Sequence, residues 1–199
     1  MRRSGMISLT EKQLNIITDY CQNFSDNSLG WYEFEDVMVD NGDVKLANGA
    51  TKGVFIFPDN DYVFKVELDD NSCQREEEIY EEAEEAGLER FFAKTVLYMI
   101  INGVEIYAQP KLITPEDDKD EKVDLSPAAL ELLNSCDDWN GLCENTLFEE
   151  FYITYDISLL EQLIDFINNN NINDLHSNNI GYTVKNEPVF IDYGGYNEY

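Results

Sequence analysis

The stretch from Val44 to Leu112 constrains the fold most, because short β-favouring runs alternate there with turn residues. Val44 to Ala47, Gly53 to Phe57 and Asp61 to Leu68 read as strands, and Pro58-Asp59-Asn60-Asp61 joins the last two as a compact turn. Thr95 to Ile101 and Val104 to Leu112 are split by Asn102-Gly103, a dipeptide that accepts the positive φ angles of a type I′ hairpin. Between these groups, Gln74 to Ala86 sets Ile79, Tyr80 and Ala83 on one helical stripe and stops at Gly87. The pattern predicts antiparallel strands with one inserted helix, an α+β chain.

Upstream, Ser8 with Glu11 reads as a capping box, and Leu14, Ile17 and Cys21 extend it as a helix from about Leu9 to Asn23. Trp31 to Val39 alternates loosely before the turn signal Asn41-Gly42-Asp43. Downstream, the acidic stretch Pro115 to Asp124 reads as a loop or linker. Ser126 to Leu133 and Leu147 to Asn168 read as helices, the second ending in an asparagine run. Ile180 to Val184 and Pro188 to Ile191 form a last hairpin around Lys185-Asn186-Glu187. The expected division is a helical extension at 1–43, a sheet-bearing part at 44–108 and a mainly helical part at 109–199.

A length of 199 residues allows one domain or two small lobes, and 43 % hydrophobic residues suffice for a core. The formal net charge of -28 repels nucleic acid and anionic membrane, so neither is expected as a direct partner. Any nucleotide site must therefore supply its own positive charge. With no bilayer-length apolar run and no signal-peptide pattern, a cytoplasmic location is expected. Cys21, Cys73, Cys136 and Cys143 lack metal-site spacing and read as reduced thiols.

The residues that suggest chemistry lie near the end. Asp174-Leu175-His176-Ser177-Asn178-Asn179 follows a helix, and Asp192-Tyr193-Gly194 closes the next hairpin, with Asp192 thirteen residues after Asn179. This arrangement resembles the protein-kinase superfamily, in which a catalytic loop H-x-D-x-x-x-x-N is followed one hairpin later by D-F-G. The loop Asn173-Asp174-Leu175-His176 is similar to those of small-molecule phosphotransferases and atypical kinases. The resemblance implies a bilobal fold, an antiparallel-sheet N-lobe with one helix above a short helical C-lobe truncated after the D-F-G position. It also implies ATP and Mg²⁺ as cofactors, Asp174 as catalytic base, and Asn179 and Asp192 as metal ligands.

Earlier residues fit the same pattern. Val63-Phe64-Lys65 matches V-A-I-K, which makes Lys65 the ligand of the α- and β-phosphates, and Glu76 its glutamate partner on the following helix, with Glu77 as the alternative. Gly49 and Gly53 stand where a glycine-rich loop would cover the phosphates, and Gln109 and Lys111 where the hinge would meet adenine. Ile172 and Asn173 replace the loop histidine and arginine of typical protein kinases, which removes the residue that reads activation-loop phosphorylation. His176 follows the loop aspartate and is expected to brace the loop by a hydrogen bond. Tyr199 comes seven residues after Asp192, so the resemblance leaves no later substrate platform and implies an exposed C-lobe that invites a protein partner or a homodimer.

The function expected is phosphoryl transfer from ATP to a protein or small-molecule hydroxyl. The alternatives are a catalytically silent interaction module on the same fold, or an acidic inhibitor that imitates nucleic acid.

Overall fold

The computed structural model describes residues 7–25, 44–48, 52–67, 71–114, 124–135 and 145–195. Gly49, the stretch 31–43 and most of the acidic loop at 115–124 lie outside them, as do Cys136 and Cys143. The chain is α+β and divides into two compact units, Met1–Cys73 with Thr95–Lys111, and Gln74–Lys94 with Leu112–Tyr199.

In the first unit, helix α1 (Glu11–Ser25) precedes strands β1 (Lys45–Asn48), β2 (Lys52–Ile56) and β3 (Tyr62–Glu67), and β4 (Val96–Ile101) and β5 (Val104–Pro110) complete the sheet. The five strands are antiparallel in the order β1-β2-β3-β5-β4. Ile101 pairs with Val104 across a two-residue turn whose Asn102 and Gly103 have φ of 53° and 84°, the backbone a type I′ turn requires.

Side chains alternate across the strands, so Phe55, Phe64 and Ala108 share one face with Val66 and Ile106. Ile17, Tyr20 and Cys21 of α1 pack into that face, with the Tyr20 ring edge-on to Phe55 at 5.1 Å. Burying each such side chain contributes about 1.5–3 kcal/mol.

The cap of α1 differs from the expected one. Thr10 and Gln13 form the capping box, the Thr10 amide donating to Gln13 Oε1 at 3.0 Å and the Gln13 amide to Thr10 Oγ1 at 3.3 Å. The Ser8 carbonyl instead accepts from Asn60 Nδ2 at 2.9 Å, which ties Ser8 to the β2–β3 turn and lets the helix begin two residues later than predicted.

The second unit takes most of α2 (Ser72–Ala86), then α3 (Pro127–Leu133), α4 (Asn145–Thr154), α5 (Ile157–Asn169) and the hairpin β6 (Ile180–Tyr182) and β7 (Pro188–Phe190). Ser126 caps α3 by accepting from the Ala129 amide at 3.2 Å, with Pro127 in the first turn. The single helix expected over Leu147 to Asn168 is two helices. Asp156 is extended (ψ 141°), and its carbonyl opens α5 by accepting from the amides of Leu159 and Leu160. Tyr155 turns into the core there, 4.7 Å from Phe91 between ring centroids, and its hydroxyl donates to the Pro188 carbonyl at 3.1 Å. That tertiary anchor outweighs helix continuity at a residue pair of modest helix propensity.

Phe91, Phe148, Phe151, Leu163, Phe190 and Tyr193 anchor this unit's core. Among the described residues, no helix is long and apolar enough to cross a membrane.

Candidate functional site

In the second unit, the loop between α5 and β6 is built by its helix end. Asn171 takes the left-handed conformation (φ 49°), its amide donates to the Asn168 carbonyl at 3.3 Å, and the Ile172 amide donates to the Ile167 carbonyl at 3.0 Å. That pair of bonds is a Schellman cap, with asparagine in the place usually held by glycine. Arg75 of α2 reinforces it, donating from Nη2 to the carbonyls of Asn171 (2.7 Å) and Asn170 (3.4 Å). No basic residue lies in the last turn of α5, so this guanidinium supplies the positive charge that a helix C-terminus favours.

Ile172 and Leu175 are fully buried and peg the loop into the core. Between them Asp174 stands at φ 62°, a left-handed backbone that aspartate tolerates better than most residues but still at a cost. The Asn179 side chain closes the loop. Its Nδ2 donates to the Asp174 carbonyl at 2.8 Å and lies 3.2 Å from His176 Nε2, while its amide donates to the His176 carbonyl at 2.8 Å. His176 Nε2 stands 3.7 Å from Asp174 Oδ1, with both side chains about one-third exposed. The expected loop-bracing contact of His176 is thus present, made to Asn179.

Asp192 is brought to this loop by the hairpin. Ile180 pairs with Phe190, and one step outward the Ile191 amide donates to the Asn179 carbonyl at 2.9 Å. On the other side, buried Tyr193 donates its hydroxyl to the Ala93 carbonyl at 2.7 Å. Asp192 is therefore held between two anchored neighbours, next to the residue bonded to Asn179.

Two glycines that the motif comparison did not single out complete the arrangement. Gly195 has φ +65°, and a Cβ there would lie 1.8 Å from Asn173 Oδ1. Only glycine lets the segment after Asp192 approach the loop this closely. A Cβ on Gly181 of β6 would meet Leu112 Cβ at 2.7 Å. The adjacent glycines at 194 and 195 were the available sequence signal for the first of these.

The remaining predicted residues are distributed as follows. Glu76 is fully buried on α2 in the second unit. Lys65 is 3 % exposed on β3 in the first unit, opposite Val54 and Tyr107. Gly53 is buried in β2 opposite Val66. Gln109 is buried and donates from Nε2 to Thr95 Oγ1 at 2.9 Å. Lys111 is exposed, and its ammonium donates to the Phe57 carbonyl at 3.1 Å, which braces the β2–β3 turn. A cleft of about 410 Å³ beside that turn, lined by Thr10, Lys12, Gln13, Asn60 and others, contains none of the predicted site residues.

The donor chemistry at the loop suits a hard cation. Among the described residues, no three His, Cys, Asp or Glu side chains cluster as a metal site. Asn179 Oδ1 and the Asp192 carboxylate are oxygen donors, and Mg²⁺ characteristically takes only one or two protein ligands beside phosphate oxygens and water. Comparison of the chain with protein-family models, curated proteins and solved structures gives no match.

Proposed function

We propose that the protein is an ATP- and Mg²⁺-dependent phosphotransferase with a minimal protein-kinase-like fold. The observation that carries this reading is the loop closed by Asn179 on Asp174 and stitched through Ile191 to the strand end bearing Asp192. In chain order its segment carries a carboxylate, an amide and a second carboxylate, the residue types that phosphoryl transfer uses. Further support comes from a five-stranded antiparallel sheet, a buried lysine on its third strand and a buried glutamate on the following helix. A buried ammonium or carboxylate is costly to keep and is retained where it has a partner or a task.

On this reading Asp174 accepts the proton of the attacking hydroxyl. Asn179 and Asp192 would hold the metal, which would neutralise phosphate charge. Lys65 binds the α- and β-phosphates. His176 lies against the Asn179 side chain at 3.2 Å, and the amide oxygen of Asn179 would be its donor to the metal.

Label transfer from ATP in the presence of Mg²⁺, to the protein itself, to protein extracts or to small hydroxyl compounds, tests the proposal. Asp174→Asn should lose transfer and keep nucleotide binding; Asp192→Ala should lose both metal-dependent binding and transfer. A wild-type protein whose thermal stability ignores ATP and Mg²⁺ and which transfers no label would sink it.

A further inference from the structure

Arg75, Glu76 and the loop from Asn170 to Asn179 all belong to the second unit. Arg75 lies half-buried in the first turn of α2, a helix otherwise dense in glutamate. Glu78, one turn on, accepts from Gln74 Nε2 at 2.9 Å. Arg75 Nη2 turns to another element and donates to two main-chain carbonyls, Asn171 at 2.7 Å and Asn170 at 3.4 Å. A charged donor on a carbonyl makes one of the stronger hydrogen bonds, and a planar guanidinium fixes its direction as well as its length.

Those carbonyls stand at the start of the loop. Asn171 (φ 49°) and, three residues later, Asp174 (φ 62°) are both left-handed. Such a backbone is disfavoured for a residue with a Cβ and persists only where its surroundings hold it. At Asp174 the Asn179 side chain holds it, donating to the carbonyl at 2.8 Å; at Asn171 the hold is Arg75. Between them Ile172 is fully buried, so the close-packed core keeps the segment from sliding to absorb a change at either end. A change in the Asn171 turn is therefore passed on to Asp174.

We propose that Arg75 is a positioning residue for Asp174: by fixing the left-handed turn at Asn171, it sets the direction in which the loop leaves α5 and so the place of the Asp174 carboxylate. The inference rests on the phosphotransferase reading for the role of Asp174, and on the two Arg75 hydrogen bonds for the coupling. Glu76 follows Arg75 directly on α2, so the helix bearing Glu76 and the loop bearing Asp174 move together.

The test compares Arg75→Met with Ser126→Ala, which removes the α3 cap elsewhere in the same unit. In label transfer well below the melting temperature of both, Arg75→Met should lower kcat about tenfold or more and leave KM for ATP within about twofold, because a misplaced base costs chemistry and not binding. Arg75→Lys should fall between wild type and Arg75→Met. Adding Asn171→Gly to Arg75→Met should recover kcat about threefold or more, since glycine takes the left-handed turn unaided. Ser126→Ala should keep kcat within about twofold of wild type. A kcat in Arg75→Met no lower than in Ser126→Ala would overturn the inference and leave the phosphotransferase reading intact.

The second readout needs no transfer. The Nδ2 proton resonances of Asn179 should shift and exchange faster with solvent in Arg75→Met, and should stay in Ser126→Ala. If the wild type transfers no label, the phosphotransferase reading falls and these resonances decide the coupling: moved signals support it, unmoved signals overturn it. Should Arg75→Met fail to fold, Arg75→Lys serves for both measurements, and a wild-type kcat or unmoved Asn179 signals would overturn the inference.

Discussion

The side chain of Asn179 reaches back five residues to hold the main-chain carbonyl of Asp174 at 2.8 Å, and the main-chain carbonyl of Asn179 accepts from the amide of Ile191 at 2.9 Å. One asparagine thereby sets the curvature of the loop and its position against the strand that carries Asp192. Asn179 is 8 % exposed, so its bonds are made largely out of competition with water.

Replacing Asn179 by Ala should cost about 1–3 kcal/mol, since it leaves the Asp174 carbonyl without this donor. Asn179→Asp should fare no better, because a carboxylate cannot donate and would face the Asp174 carbonyl with like polarity. Chemical denaturation of both variants measures the effect, and equal losses would support the donor role over simple volume. An Asp variant as stable as wild type would contradict the hydrogen-bond assignment.

At Gly195 the constraint is both conformational and steric. Gly195→Ala should destabilise by roughly 1–3 kcal/mol, from a left-handed φ of +65° and from the clash with Asn173 Oδ1. Removing the obstacle in Asn173→Ala/Gly195→Ala should recover the steric share and leave the backbone share. Thermal melts of the single and double variants separate the two.

Arg75 joins α2 to the C-terminal end of α5 over 95 and 96 residues of sequence. Arg75→Met should lower stability by about 1–2 kcal/mol and speed amide exchange at Asn171 and Ile172, whose cap it supports. Arg75→Lys should recover only part, because an ammonium lacks the fork that spans two carbonyls. Unchanged exchange at Ile172 in Arg75→Met would show that the cap stands without it.

Burial pushes the Tyr155 and Tyr182 hydroxyls up to about 12, helped by Glu187 near the first and by Glu150, through charge and a hydrogen bond, at the second. Tyr20 and Tyr107 are raised as well, in both cases chiefly by burial. The folded state keeps these phenols protonated where the unfolded state, titrating near 10, releases their protons. Their contribution is therefore fully present below about pH 10 and is lost as pH rises towards about 12. Stability against urea should fall over that window, with phenolate absorbance appearing together with unfolding. Phenolate absorbance well below pH 10 with the fold intact would contradict the burial argument.

The sequence by itself determined the elements whose cause is local. The Asn102-Gly103 hairpin, the Ser126 cap of α3, the glycine stop after α2 and the compact turn around Asn60 follow from backbone preferences of a few adjacent residues. The loop Asp174 to Asn179 and Asp192 were legible as residue types at a spacing, which is enough to name candidates.

What the tertiary structure decided is everything that joins distant segments. The placement of β5 between β3 and β4, the break at Tyr155 and Asp156, Arg75 on the α5 cap and Gly195 against Asn173 depend on partners far away in the chain or across strands. Local propensities are worth tenths of a kcal/mol per residue, whereas a buried ring or a charged hydrogen bond is worth one or more. Where the two compete, packing prevails, and packing is set by which surfaces meet.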